Sequence, residues 1–169
     1  MKANNSNNSN TNSNKNSSVD TLYFRFAEEK DCKLLFDWRN DPEVRNNSGD
    51  SSELVYNNHK EWFFNALKNK DVVILLAIND NSEEVGQVRL NISKSQGIIS
   101  ISLDKSFRGN GYGTYIIKKA SSIFLNNFHI KSIIAKIRKE NLASVKSFEK
   151  AGYKYLREEG GFKYYVFKK

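Results

Sequence analysis

Ile98-Ile99-Ser100-Ile101-Ser102-Leu103-Asp104-Lys105-Ser106-Phe107-Arg108-Gly109-Asn110-Gly111-Tyr112-Gly113-Thr114 passes from a strand, through a short basic loop with three glycines in five positions, into a helix. The helix, over about 111–127, carries Ile116, Ile117, Ala120, Ile123 and Phe124 as one apolar stripe. Glycine lets backbone N–H groups approach a ligand with no Cβ in the way. A helix N-terminus adds unsatisfied donors and a partial positive charge, and Arg108 adds a full one. The stretch reads as a diphosphate cradle built mostly from main chain. It is not a Walker loop, because no Gly-Lys-Ser/Thr ending follows. It is not a dinucleotide fingerprint either, because Gly109-x-Gly111 is followed by Thr114 and no acidic residue sits about 20 positions on. The competing reading is a tight strand-to-helix turn that binds nothing.

Outward from this stretch, the elements alternate. Leu22, Phe24 and Phe26 alternate with Thr21, Tyr23 and Arg25, predicting a half-buried strand. Leu34, Leu35 and Trp38 take helical spacing over 28–39, and Asp41-Pro42 marks the boundary. Residues 43–58 read as polar and mobile, and a second helix is expected over about 59–69. Strands follow at 72–79 and 84–91, joined by a hairpin at Asp80-Asn81, and a third runs over 97–104. After the glycine-loop helix come a strand at 132–138, a short helix at 141–151, and two strands around Gly160-Gly161. The order βααβββαβαββ predicts an α/β fold: a mixed, mainly antiparallel central sheet flanked by helices, in one domain over 20–169. Residues 1–19, of which 13 are Asn or Ser, are expected to form a disordered tail.

The chain has 169 residues and a formal net charge of +8. The charge is uneven: residues 1–104 carry 12 basic and 15 acidic side chains, and residues 105–169 carry 15 and 4. A basic balance first suggests a polyanionic partner. The longest uninterrupted apolar run, 72–78, is far short of a membrane span, and no charged n-region leads into an apolar stretch. A cytoplasmic protein with no membrane partner is the simplest expectation. One cysteine, Cys32, excludes an internal disulfide, and two histidines, His59 and His129, leave no promising metal set. Cys32 in an apolar-rich helix reads as packing, and His129 as structural or solvated.

Arg108-x-x-Gly111-x-Gly113 resembles the acetyl-CoA pyrophosphate loop of the GNAT superfamily of N-acetyltransferases. Asn141-x-x-Ser144-x-x-x-Phe148-x-x-x-Gly152-Tyr153 resembles the later motif of the same superfamily, and the element order matches over about 20–168. The resemblance implies acetyl-CoA as cofactor and a small-molecule amine as acceptor; a monomer or a homodimer is expected. It implies that the pyrophosphate lies on main-chain amides of Arg108, Gly109, Asn110, Gly111, Tyr112, Gly113 and Thr114. It further implies that backbone groups of Ser102, Leu103 and Asp104 take the pantetheine arm and polarise the thioester, and that Asn141 and Ser144 contact the cofactor. Asn141 reads equally as a helix N-cap, and Ser144 as a small packing residue. Many members protonate the leaving thiolate from a Tyr in the later motif. Phe148 stands there in this chain, so another hydroxyl (Ser147 or Tyr112) serves, or the thiolate leaves unassisted, being a better leaving group than an alkoxide.

Four fragments point to the acceptor. They are Trp38-Arg39-Asn40-Asp41-Pro42-Glu43-Val44-Arg45, His59-Lys60-Glu61-Trp62-Phe63, Gly86-Gln87-Val88-Arg89, and Ser100 with Ser102. They resemble the branch that acetylates the 4-amino group of a UDP-linked 4-amino-4,6-dideoxy sugar in pseudaminic acid biosynthesis, although ribosomal-protein and amino-acid acetyltransferases share parts of the first fragment. Alternation puts Gln87 and Arg89 on one strand face, and Ser100 and Ser102 on a face with Ile98. Arg39, Arg45 and Arg89 suit an anionic nucleotide diphosphate. Trp38, Trp62 and Phe63 read either as core or as stacking platforms, Asn40 and Ser100 as acceptor contacts, and His59 as a base or a helix-end residue. Two other classes compete: a nucleic-acid-binding module and a catalytically idle CoA-binding sensor. The first is disfavoured because no pair of exposed aromatics on one sheet face is evident. The second is kept open by Phe148.

Overall fold

A computed structural model of the chain describes residues 21–168, and the expected tail at 1–19 lies outside the described residues. The first half runs β1 (Tyr23–Phe26), a 3₁₀ turn, α1 (Cys32–Asn40), α2 (Pro42–Asn46), α3 (Tyr56–Lys68), then the meander β2 (Val72–Ile78), β3 (Glu84–Ser93) and β4 (Gln96–Leu103). The second half runs α4 (Tyr112–Asn127), β5 (Ser132–Arg138), α5 (Leu142–Lys150) and the hairpin β6 (Lys154–Glu159) and β7 (Phe162–Lys168). One seven-stranded sheet results, ordered β1-β2-β3-β4-β5-β7-β6. Every pair is antiparallel except β4 with β5, so the expected mixed, mainly antiparallel sheet flanked by helices is the one seen.

Each face follows from strand alternation. Val73, Leu75, Val88, Leu90, Ile99, Ile133 and Ala135 point to one face, where the α4 stripe Ile116, Ile117, Ala120 and Phe124 closes the main core. On the other face Leu35, Trp38, Phe63 and Ala66 of α1 and α3 pack over Ile74 of β2. β2 is buried on both sides, which explains its unbroken apolar run. Farther across the sheet the α1/α3 face turns polar: Gln87, Arg89, Ser100, Ser102 and Lys136 point that way.

Three expectations change. Phe26 is 63% exposed at the end of the edge strand, so the inward alternation stops at Phe24. Residues 43–58 are not all loop. Asp41 accepts from the Glu43 and Val44 amides and Pro42 takes the first helical position, so the same Asp-Pro that ends α1 starts α2. The helix expected from His59 begins one turn earlier, at Tyr56. Cys32 is buried in the α1 core, as its packing role requires.

α5 is seated by one buried polar contact. Phe148 meets Tyr153 edge-on at 4.9 Å, and the Tyr153 hydroxyl shares a 2.7 Å hydrogen bond with Ser121. Burial, partly offset by Ser121, pushes the Tyr153 phenol well above its ordinary value, so it stays protonated. Tyr153→Phe orphans a fully buried hydroxyl and is expected to cost about 1–2 kcal/mol in urea unfolding. The Tyr153→Phe/Ser121→Ala pair should cost less than the sum of the two single changes.

Candidate active site

β4 and β5 pair from Gln96↔Ser132 to Ile99↔Ala135, and the ladder stops there. Alternate residues of a strand turn their amide groups to opposite neighbours. The Asp104 N–H binds the Val85 carbonyl, so Ser102 also faces β3, and Ile101 and Leu103 face the widening gap. This corrects the expectation for Ser102 and Asp104, whose amides are spent on β3. Ile101, which lines the cleft, was missed, although the period-2 pattern contained it. The Leu103 carbonyl takes two hydrogen bonds from the Arg108 guanidinium, at 3.2 and 3.0 Å.

The glycine loop turns the chain from this gap into α4. Gly109 and Gly111 both have left-handed φ, +78° and +87°, which L side chains rarely adopt. No side chain caps α4, and its first intrahelical bond runs from the Tyr115 N–H to the Gly111 carbonyl. The Gly113 and Thr114 amides precede that bond and have no carbonyl of their own helix to reach. A Cβ on Gly113 would stand 3.5 Å from Leu103 Cδ1 and 3.7 Å from Ser147 Oγ, inside the space between loop and α5. The cradle therefore fits a diphosphate and arm passing between α4 and α5. Gly109, Gly111, Gly113, Thr114, Ser144 and Ser147 line the cleft. Asn141 lines it too, while its side chain caps α5 by accepting from the Ser144 N–H at 3.1 Å. Asn110 turns its side chain back to the Arg108 carbonyl. The Tyr112 ring is buried edge-on to Phe107 and does not line the cleft, unlike Ser147, the expected alternative acid.

Several side chains do other work than the sequence suggested. Arg108 does not reach for phosphate: besides Leu103 it holds Asp41 at 3.1 Å and Glu43 at 2.9 Å. Burial raises the Asp41 pKa, but Arg108 and the Val44 and Glu43 amides outweigh it and hold the carboxyl below its usual range. Asp104 is a hub outside the cleft, accepting from Ser106 N–H and, at 3.0 Å, from the Trp38 indole N–H. Burial also raises its pKa, and those two donors bring it below the usual carboxylate range. Trp38 is thus a core residue and not a stacking platform, and Phe63 is fully buried. Asn40 clamps Leu54 through both its amide atoms and does not face the cleft. Arg45 likewise lies off the cleft, 3.5 Å from Glu53. The expected base, His59, is 5% exposed among Phe36, Trp62 and Phe63 and does not line the cleft. Burial pushes it below its usual pKa, so it is neutral.

The end of the cleft away from the glycine loop is basic. Arg39, Gln87, Arg89, Ser100 and Lys136 line it. Arg89 lies on the Trp62 ring at 5.1 Å, which makes Trp62 a support for Arg89. Burial, and then the Arg39 charge, lower the Arg89 pKa from the ordinary guanidinium value. Arg39 holds the Asp50 carbonyl at 2.7 Å, yet Arg39 Nη1 and Arg89 Nε are buried with no hydrogen-bond partner. Residues 41–50 form a strap over the gap, held by Arg108 on one bank and by Arg138, which donates to the Ser48 carbonyl at 2.6 Å, on the other. Among the described residues no His/Cys/Asp/Glu group suits a metal, and no helix is long and apolar enough to cross a membrane.

Two outcomes follow. Gly113→Ala meets only ordinary contacts and should fold normally, but its methyl occupies the cradle. We expect its melting temperature to stay near the parent value while the acetyl-CoA KM rises about tenfold, the equivalent of one lost hydrogen bond. His59 has a folded pKa below its unfolded one, so its contribution to stability is fully present above about pH 6.5 and falls as pH drops below that. Melting temperatures between about pH 7.5 and 5.5 should therefore decline, and less steeply in His59→Phe.

The acetyltransferase (GNAT) domain model matches residues 21–154. An uncharacterized protein of Methanocaldococcus jannaschii is 26% identical over 142 residues, covering 81% of this chain and 29% of the relative, so the chain spans less than a third of that protein. A spermidine N-acetyltransferase from Vibrio cholerae, solved with CoA and spermine, superposes with a TM-score of 0.79 at 14% identity, covering 87% of this chain and 95% of that one. The aminoglycoside acetyltransferase AAC(6')-Ib, solved with coenzyme A, gives 0.74 at 18% identity over 88% and 95%. Those two likenesses speak for the fold. The family match, falling on the elements that build the glycine loop and the parted strands, means that the chain belongs to the GNAT acetyltransferase family.

Proposed function

We propose that the chain acetylates a primary amine on a small, phosphate-bearing acceptor, preferably the 4-amino group of a nucleotide-linked amino sugar, by direct transfer in a ternary complex. The observation that carries this reading is the Arg39–Arg89 pair, whose buried, unpartnered nitrogens stand at the acceptor end. Buried donors without partners are costly, and an anionic ligand supplies what they lack. Among the described residues that line the cleft, Glu43 is the only acidic one, and Arg108 already holds it. Spermine and aminoglycosides, named for the two structural neighbours, are polycations, and this lining repels them.

Bound acetyl-CoA supplies the acetyl group as an activated thioester. The amides of Gly113 and Thr114 hold its diphosphate, and those of Ile101 and Leu103 are the main-chain donors available in the gap for an oxyanion. Arg39, Arg89 and Lys136 disfavour the ammonium form of an incoming amine, which lowers its pKa and frees the nucleophile without a dedicated base. The amine proton goes to solvent. Ser147, facing the gap from α5, donates a hydrogen bond to the leaving thiolate, which takes its proton from solvent and leaves the Ser147 hydroxyl intact.

Thiol release should be seen with acetyl-CoA and a UDP-4-amino-4,6-dideoxy sugar, and be weak with spermidine or kanamycin. Turnover confined to peptides or polyamines would sink the reading. Arg89→Ala should raise the acceptor KM at least about tenfold and leave the acetyl-CoA KM within about twofold, with Arg89→Lys between. An acceptor such as a protein N-terminus, with no phosphate to bind, would leave Arg89→Ala close to the parent.

A further inference from the structure

Arg89 and Ser100 are register partners, and Lys136 continues the same row on β5, one step beyond the last paired residues Ile99↔Ala135. Row and face together place Lys136 across the gap from Arg89. The β5–β7 register then sets Phe162 and Tyr164 on that same face, opposite Arg138 and Lys136. A pair of aromatics on one sheet face, which the sequence did not reveal, is thus present, but both rings are taken by the protein's own cations. Lys136 Nζ lies 4.3 Å from the Phe162 centroid and 5.9 Å from that of Tyr164. Arg138 stands over Phe162 at 5.4 Å, and Arg157 over Tyr164 at 4.2 Å.

The three cations differ in what they have left to give. Arg138 is committed to the Ser48 carbonyl, and Arg157 to Glu159 at 3.2 Å. Lys136 has no carboxylate partner among the described residues, is exposed, and lines the cleft together with Phe162. A cation resting on aromatic faces is held in place while its N–H groups stay available. We propose that Lys136, braced by Phe162 and Tyr164, is the far half of a phosphate subsite whose near half is the Arg39–Arg89 pair, so that the acceptor's phosphates bridge both banks of the gap. The inference rests on the phosphate-bearing acceptor proposed above and adds the residue that selects for it. A single-stranded nucleic acid would need open ring faces, and both of these rings already carry cations of the protein itself.

The test uses the full chain saturated with CoA, so that the glycine loop is occupied, and titrates inorganic pyrophosphate and then UDP by calorimetry. Wild type should bind both. Lys136→Ala should weaken each about tenfold, Lys136→Arg should stay within about threefold of wild type, and Lys70→Ala, remote from the cleft, should change nothing. Lys136 is exposed, so the variants should keep the parent melting temperature. Absence of pyrophosphate binding to the CoA-loaded wild type, or equal affinity in Lys136→Ala, overturns the proposal. Turnover of the UDP-amino sugar with a KM indifferent to Lys136→Ala removes this subsite and leaves the acceptor assignment standing. Lys136-dependent pyrophosphate binding without such turnover keeps the subsite and removes the nucleotide-sugar acceptor. Tighter binding of oligonucleotide than of UDP, equally dependent on Lys136, also overturns it.

Discussion

Parting two strands in the middle of a sheet leaves backbone hydrogen-bonding groups with no ladder, and buried groups of that kind must be satisfied or kept for a ligand. Everything around the gap between β4 and β5 answers to this constraint. Arg108 takes the Leu103 carbonyl, and its other end takes Asp41 and Glu43. Asp41 in turn caps α2, so one arginine ties the gap, the glycine loop and the acceptor-side helix into a single assembly. Arg138 closes the other bank through Ser48. The donors left over, on Ile101 and the first turn of α4, are those a thioester and a diphosphate can use.

What the sequence revealed is what short-range periodicity determines. The α4 stripe, the alternation of Gln87 and Arg89 against Val88 and Leu90, and the glycines that need left-handed φ are all local, and the structure has them in place. Misreadings came where a distant partner decides a side chain's role. Trp38 is claimed by Asp104, 66 residues away, and His59 is enclosed by aromatics from two helices. Arg108 and Asp41 are 67 positions apart, so no local pattern could show the arginine turned away from the cofactor. Lys136 was invisible as a site residue because its meaning depends on the register between β5 and β7. The Asp-Pro step was read as an end when it is both an end and a beginning.

The basic balance of the chain also takes a sharper form. Among the described residues, Arg39, Arg89, Arg108, Lys136, Lys146 and Lys150 line one cleft in which the single acidic residue, Glu43, is already paired. Arg108 contributes its charge to structure, so the field at the cleft comes from the others. Such a field draws anions inward at long range and speeds their encounter with the site. It also discriminates, since a polycation pays in repulsion at each step of entry.

Asp41 has one further consequence, for how such an enzyme can change its acceptor. Its carboxylate serves the α2 amides and Arg108 at once. The strap over the gap and the glycine loop are therefore not interchangeable cassettes. A strap transplanted from another member of the family will fit only if it brings its own carboxylates for Arg108. Drift in acceptor preference is thereby channelled toward positions beyond the Asp41-Pro42-Glu43 junction, where sequence can vary without loosening the grip on the cofactor.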